Sequence, residues 1–110
     1  FINVIRVGLN SYDNMVSIGL ENAGLRRVPM NCFEGNFGHS SGSVSLLSSI
    51  LSAQSLVNEE ILPTLGYVNH GVKGRIRIQT TVSTSHKQSF LAISTGFGGV
   101  NGVMLYTKER

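Results

Sequence analysis

The sequence predicts an α/β layered fold, a mixed sheet with a buried helix. Three observations carry that expectation. Short runs rich in Ile, Val and Phe alternate with segments whose apolar residues fall on helical spacing. The order along the chain is strand, helix, strand, helix, loop, strand, strand, which suits a mostly parallel sheet. The last two strand-like runs lie close together and form an antiparallel hairpin.

Residues 1–7 (Phe-Ile-Asn-Val-Ile-Arg-Val) read as a buried strand and residues 8–12 as a loop. Asp13 is a good N-cap for a helix over 14–23. Its apolar face is expected from Met15, Val16, Ile18, Leu20 and Ala23, and Gly24 suits the C-terminal stop. Residues 28–33 form a second short strand, with Pro29 near its start, where a missing donor costs least. A glycine-histidine loop follows, and then a helix over about 41–56. Val44, Leu47, Leu51 and Leu46, Ile50, Ala53, Val57 fall on helical spacing. The other faces carry serine rather than charge, so this helix is expected to be buried on more than one side.

Residues 58–74 are irregular, with Leu62-Pro63-Thr64 as an extended element. Residues 75–79 alternate as a short half-buried strand, and 80–87 read as a polar loop. Strands over 90–94 and 103–106 are joined by the glycine-rich stretch 95–102. So few strands imply a sheet that continues in another chain or segment. There is no internal repeat.

A chain of 110 residues is one ordinary domain or part of one. Apolar residues make up 41% and charged residues 14%, which places it among globular rather than disordered chains. No apolar run approaches the ~18 residues of a membrane span. The net charge of +3 comes from scattered residues, apart from Arg26-Arg27 and the trio Lys73, Arg75, Arg77. These do not interleave with aromatics, which argues against nucleic acid. They read as solvated faces, though a modest basic surface suits an acidic carrier protein. The single cysteine, Cys32, excludes an internal disulfide and favours a reducing, cytoplasmic compartment. The chain opens without Met, without a secretory leader and already in a strand-like run. It therefore reads as a processed, nicked or split piece of something larger.

Two loops carry the chemistry. In Glu34-Gly35-Asn36-Phe37-Gly38-His39-Ser40-Ser41-Gly42 a histidine sits between glycines just before a long helix. The positive end of the helix dipole disfavours an imidazolium there. A neutral imidazole donates a hydrogen bond to a carbonyl oxygen and to charge developing on it. The bland alternative is a histidine capping a turn. In Gly96-Phe97-Gly98-Gly99 no Lys-Ser/Thr and no helix follow, so it is not a phosphate loop. Such a phenylalanine is either a mobile gate or a packed turn. His70 and His86 read as surface residues, Cys32 as core, and Glu59 and Glu60 as solvated. No Cys/His/acid spacing supports a metal.

Together, in this order, the two loops resemble the C-terminal part of a β-ketoacyl synthase of the thiolase-like fold. That family has Lys-x-x-x-Gly-His-x-x-Gly opening a long helix, then Gly-Phe-Gly-Gly-x-Asn in the last hairpin. Here stand Gly38-His39-Ser40-Ser41-Gly42 and Gly96-Phe97-Gly98-Gly99-Val100-Asn101. Asp13 matches the Asp that follows the family's His-Gly-Thr-Gly-Thr-Pro and opens a helix. The resemblance spans nearly all of residues 1–110. It implies a C-terminal portion of a thiolase-like domain, incomplete without another chain or segment.

In that family a cysteine in the N-terminal half holds the acyl chain. Two histidines bind the malonyl thioester carbonyl and stabilise the enolate formed on decarboxylation. A lysine supports them. The resemblance places His39 as the second histidine, Ile5 where the first stands, and Glu34 at the lysine. Phe97 matches the gating phenylalanine, beside Gly98 and Gly99. Isoleucine cannot donate to an enolate oxygen, and loss of one such donor costs about 2.7–4 kcal/mol. A carboxylate at the lysine position opposes a developing negative charge.

The chain therefore looks like a non-catalytic chain-length factor of a type II polyketide or related synthase. Such a subunit pairs with an active β-ketoacyl synthase to shape the acyl tunnel. The resemblance implies three partners: that active subunit, the missing N-terminal half and an acyl carrier protein. It implies no cofactor, no nucleic acid and no membrane. Two alternatives stay open. One is a fragment of an active β-ketoacyl-[acyl carrier protein] synthase using His39. The other is a small non-enzymatic α/β binding module whose glycine loops are structural. Expressed alone, residues 1–110 are expected to be insoluble, from an open sheet and an uncharged helix. A soluble monomer with a cooperative melt in calorimetry would favour the small module instead.

Overall fold

The computed structural model describes residues 1–4, 10–33, 43–64, 74–95 and 101–109. The elements are β1 (Ile2–Val4), α1 (Asn10–Asn22), β2 (Pro29–Asn31), α2 (Val44–Val57), β3 (Glu60–Ile61), β4 (Arg77–Ile78), β5 (Ser83–Thr84), β6 (Ser89–Thr95) and β7 (Asn101–Thr107). A five-stranded sheet runs in the order β4-β2-β1-β6-β7, and β3 pairs with β5 in a second, two-stranded sheet. β1 is parallel to both β2 and β6, β2 is parallel to β4, and β7 returns antiparallel to β6. The sheet is therefore mostly parallel and closed by a hairpin, as the element order predicts.

Alternation along β1 builds a core on each face of the sheet. Ile2 and Val4 join Leu20 and Met30, with Val16, Leu25 and Val28 packed around them on the α1 side. Phe1 joins Leu56, Ile61 and Phe90 on the α2 side. There Phe90 stacks between Phe1 and Tyr106, with ring centroids 5.2 and 4.8 Å apart. Each such side chain, fully buried, contributes about 1.5–3 kcal/mol. Cys32 is buried, as its place in an apolar run predicts.

α1 begins at Asn10, one turn before the predicted start. Asp13 thus lies in the first turn, where its carboxylate favours the positive end of the helix, rather than at the N-cap. The helix ends as predicted at Gly24, which has φ +79°. The Gly24 N–H donates to the Glu21 carbonyl and the Leu25 N–H to the Leu20 carbonyl, a Schellman closure. The expected apolar face divides in two. Val16 and Leu20 face the sheet, whereas Met15 and Ile18 are 61% and 40% exposed.

Three further expectations change. The predicted polar loop 80–87 contains β5, whose partner β3 follows α2 directly. Glu59, at φ +57°, makes the turn between α2 and β3. Its carboxylate meets His86 Nδ1 at 3.2 Å and Lys108 Nζ at 3.8 Å, and His86 lies on the surface as expected. Glu60, expected to be solvated, is half-buried in β3. Among the described residues α2 is covered on one side only. Val44, Ser48, Ser52, Ser55 and Leu56 are buried, while Leu46, Leu47, Ile50 and Val57 are exposed.

Gly74 locks the start of the β4 arm onto α1. Its N–H donates to Ser17 Oγ at 3.0 Å, and Ser17 Oγ donates to the Asn14 carbonyl at 2.8 Å. A Cβ at Gly74 would overlap the backbone of Ser17 and Ile18, whereas one at Gly19 meets nothing within 4 Å. Gly74→Ala is expected to lower stability by about 1–3 kcal/mol or more through overpacking. Gly19→Ala is expected to raise it by roughly 0.5–1 kcal/mol, because alanine suits a helix interior. Thermal melts of both variants in the soluble assembly check the opposite signs.

Candidate functional site

Three neighbouring parallel strands end at one edge of the sheet. Asn3 lies opposite Asn31 on one side and Ala92 on the other, so β2, β1 and β6 run in step. Past their carboxyl ends come residues 34–42, 5–9 and 96–100 respectively. The first of these is entered from Phe33, 2% exposed, and left through Ser43 into α2. Ser45, in the first turn of α2, lies 3.4 Å from Ser94, near the end of β6. The amino end of α2 therefore also faces this edge. In open α/β sheets the carboxyl edge is where ligands bind. All of the predicted site residues, Ile5, Glu34, His39, Phe97, Gly98 and Gly99, belong to these three segments and lie outside the described residues.

A buried polar ladder fixes the edge. Asn3 Nδ2 donates to Asn31 Oδ1 at 2.9 Å, and Asn31 Nδ2 donates to the Leu62 carbonyl at 2.9 Å. Asn3 and Asn31 are each 1% exposed. The Cys32 N–H donates to Thr64 Oγ1 at 3.2 Å, and the Thr64 N–H to the Gln79 carbonyl at 2.8 Å. Residues 62–64 thus run beside the end of β2 and hold it against β4.

Between α2 and the β6–β7 hairpin lies a cavity of about 230 Å³. Ala92, Ile93, Val103, Met104 and Tyr106 supply its apolar wall, and Asn3, Ser45, Ser49 and Ser94 its polar groups. Among the described residues no charged side chain lines it. Such a lining suits an uncharged, largely apolar group. No group of His, Cys, Asp and Glu among the described residues suits a metal ion, and no described helix is long and apolar enough to cross a membrane.

Sequence reasoning missed the asparagine pair and the serines of this cavity. Asparagine is a poor strand former, so two of them inside Ile-Asn-Val and Met-Asn-Cys were a legible signal of buried pairing. The serines gave no such signal, because only the placement of α2 brings Ser45 and Ser49 to Ser94.

No protein-family model matches the sequence, and no curated protein matches it. Solved structures do resemble the chain. Ketosynthase twelve of the bacillaene polyketide synthase of Bacillus amyloliquefaciens superposes with a TM-score of 0.80 at 18% identity. The match covers 99% of this chain and 22% of that one. The AntDE:AntF complex is a type II polyketide synthase acyl-carrier protein with its ketosynthase bound to the hexaketide. A chain of it superposes with a TM-score of 0.78 at 12% identity, over 99% of this chain and 28% of that one. The fold is therefore that of part of a ketosynthase, the thiolase-like arrangement that the paired loops imply. The chain spans about a quarter of the length of the structures it matches.

Asn31→Leu leaves Asn3 Nδ2 and the Leu62 carbonyl without their partner. Each buried orphan costs about 1–3 kcal/mol. Adding Asn3→Val removes the first orphan, so the double variant should lose less than the sum of the two single losses. Unfolding midpoints of the three variants measure the coupling; strictly additive losses would rule out a coupled ladder.

Proposed function

We propose that this chain is a ketosynthase-like subunit of the chain-length-factor type, in a type II polyketide or fatty-acid-like synthase. One observation carries the reading. Ile5 and Glu34 stand where the family's first catalytic histidine and its lysine are expected, while the glycine frame around His39 and Phe97 is kept. A pocket so altered retains the shape of a ketosynthase site and loses the donors that stabilise an enolate.

In this reading the chemistry belongs to an active β-ketoacyl synthase subunit, whose cysteine carries the growing chain. This subunit supplies a wall of the acyl tunnel. The uncharged cavity between α2 and the hairpin supports that role, because an acyl or polyene chain needs apolar lining and no counter-ion. Phe97, Gly98 and Gly99 are assigned to substrate binding, and His39 is a residual member of a catalytic set. An acyl carrier protein delivers the extender units in the cytoplasm. The remainder of the domain, on another chain or segment, completes the fold. The retained His39 favours a second reading, an active β-ketoacyl synthase in which His39 still works.

The two readings separate in the complete complex supplied with malonyl-carrier protein. His39→Ala is expected to leave the condensation rate near that of wild type. Ser49→Leu, which fills the cavity, is expected to shorten the product as read by mass spectrometry. A large rate loss from His39→Ala, traced to this subunit's own pocket, would sink the chain-length-factor reading.

A further inference from the structure

Tyr106 belongs to two environments at once. It lines the cavity between α2 and the hairpin. It also stacks on Phe90, with ring centroids 4.8 Å apart and an interplanar angle of 12°. Phe90 stacks in turn on Phe1, at 5.2 Å and 9°. Phe1 and Phe90 are buried with Leu56 and Ile61 in one core cluster. Tyr106 thus stands where the cavity stops and the packed core begins.

The lining falls into three levels along the strands. Pairing of β6 with β7 sets Ser94 opposite Gly102, Ala92 opposite Met104 and Phe90 opposite Tyr106. Ser94 and Gly102 lie nearest the carboxyl edge. A Cβ added at Gly102 meets nothing within 4 Å, so this first level is open. At 3.2–3.4 Å per residue, Gly102 and Tyr106 are about 13 Å apart along β7. α2 runs back along the same levels, since Ser45 meets Ser94 and Ala53 packs on the Phe1 cluster. Ser49, one turn after Ser45, comes between them. Polarity falls on the way in. The Ser45 and Ser94 hydroxyls, 3.4 Å apart, stand at the edge. Asn3 lies beside Ala92 at the middle level, with its Nδ2 already donated to Asn31. The last level ends on the half-buried ring of Tyr106.

We propose that Tyr106 is a specificity-determining residue of this cavity, the stop against which the apolar end of an acyl chain comes to rest. Its ring sets the longest chain that the cavity accepts. The inference rests on the functional reading above and adds to it a residue and a direction. The chain enters from the carboxyl edge, its carbonyl end stays at the level of Ser45 and Ser94, and its hydrocarbon end points at Tyr106. The stack makes this a fixed stop, because a ring that swung aside would forfeit its contact with Phe90. Met104, with three rotatable bonds, adapts to a chain lying beside it instead.

The test uses the complete complex supplied with malonyl-carrier protein, with product length read by mass spectrometry. Tyr106→Ala removes the ring, and the dominant product is expected to lengthen by at least one extender unit. Tyr106→Phe keeps the ring and the stack, and is expected to keep the wild-type length. Where alanine prevents assembly, Tyr106→Val, better suited to a strand, reads the same shift. A purely structural role would lower the yield of every product without moving its length, and that result overturns the proposal. A second measurement does not depend on turnover. Saturated alkyl-pantetheine thioethers of increasing length, which cannot acylate a cysteine, are titrated into the same complex by calorimetry. Affinity is expected to rise several-fold with each added methylene and to stop rising where the chain meets Tyr106. In Tyr106→Ala that limit is expected to move to longer chains. Identical limits in wild type and variant overturn the role of Tyr106 and leave the functional reading standing if the complex still makes product. A complex that makes no product from malonyl-carrier protein overturns the functional reading, and the proposal that rests on it.

Discussion

The hydrogen bond between Asn3 and Asn31 holds β1 and β2 in register at their carboxyl ends. Parallel strands slip at a cost set by side-chain pattern, since one residue of slip turns every side chain to the opposite face. Two buried carboxamides, one donating to the other at 2.9 Å, penalise that slip strongly. The same bond feeds on to the Leu62 carbonyl, so the crossing from α2 back to the sheet is fixed by the same ladder. Everything at the carboxyl edge inherits this register. The points at which residues 5–9 and 34–42 are entered are set by it, and the hairpin follows through the pairing of β1 with β6.

Helix α2 joins this edge to the rest of the fold. Its serines serve two ends at once. Those facing the sheet let backbone approach backbone, and those in its first turns give the cavity its few polar groups. Among the described residues, the result is a space with hydroxyls on one side, apolar walls on the other and no charged side chain. A site meant for a phosphate or a metal would need the opposite composition. The chemistry of this lining suits an uncharged, largely apolar ligand.

The two departures from a working ketosynthase on which the proposed role rests, at positions 5 and 34, are matters of residue type. Isoleucine has no proton to donate, and a carboxylate carries the wrong sign near a forming enolate. These properties hold wherever the side chains point. A histidine kept between glycines is less decisive, because the same frame serves a turn as well as a ligand. The proposed role therefore follows from what is missing at positions 5 and 34 more than from what is kept at 39.

Much of the architecture was legible in the sequence. The element order, the parallel core strands, the closing hairpin, Gly24 at the end of α1 and the burial of Cys32 all follow from local periodicity and from residues with special backbone demands. Helix boundaries were less legible, since Asp13 suits a first turn as well as a cap. So was the β3–β5 pair, which consists of two-residue strands with polar side chains and no periodicity to read. The sequence determined that α2 would be uncharged and rich in serine and leucine. Only the tertiary structure decided that Ser48, Ser52 and Ser55 face the sheet while Leu46 and Leu47 face away. Helical spacing defines stripes on a cylinder; which stripe turns inward depends on how closely the sheet allows the helix to approach.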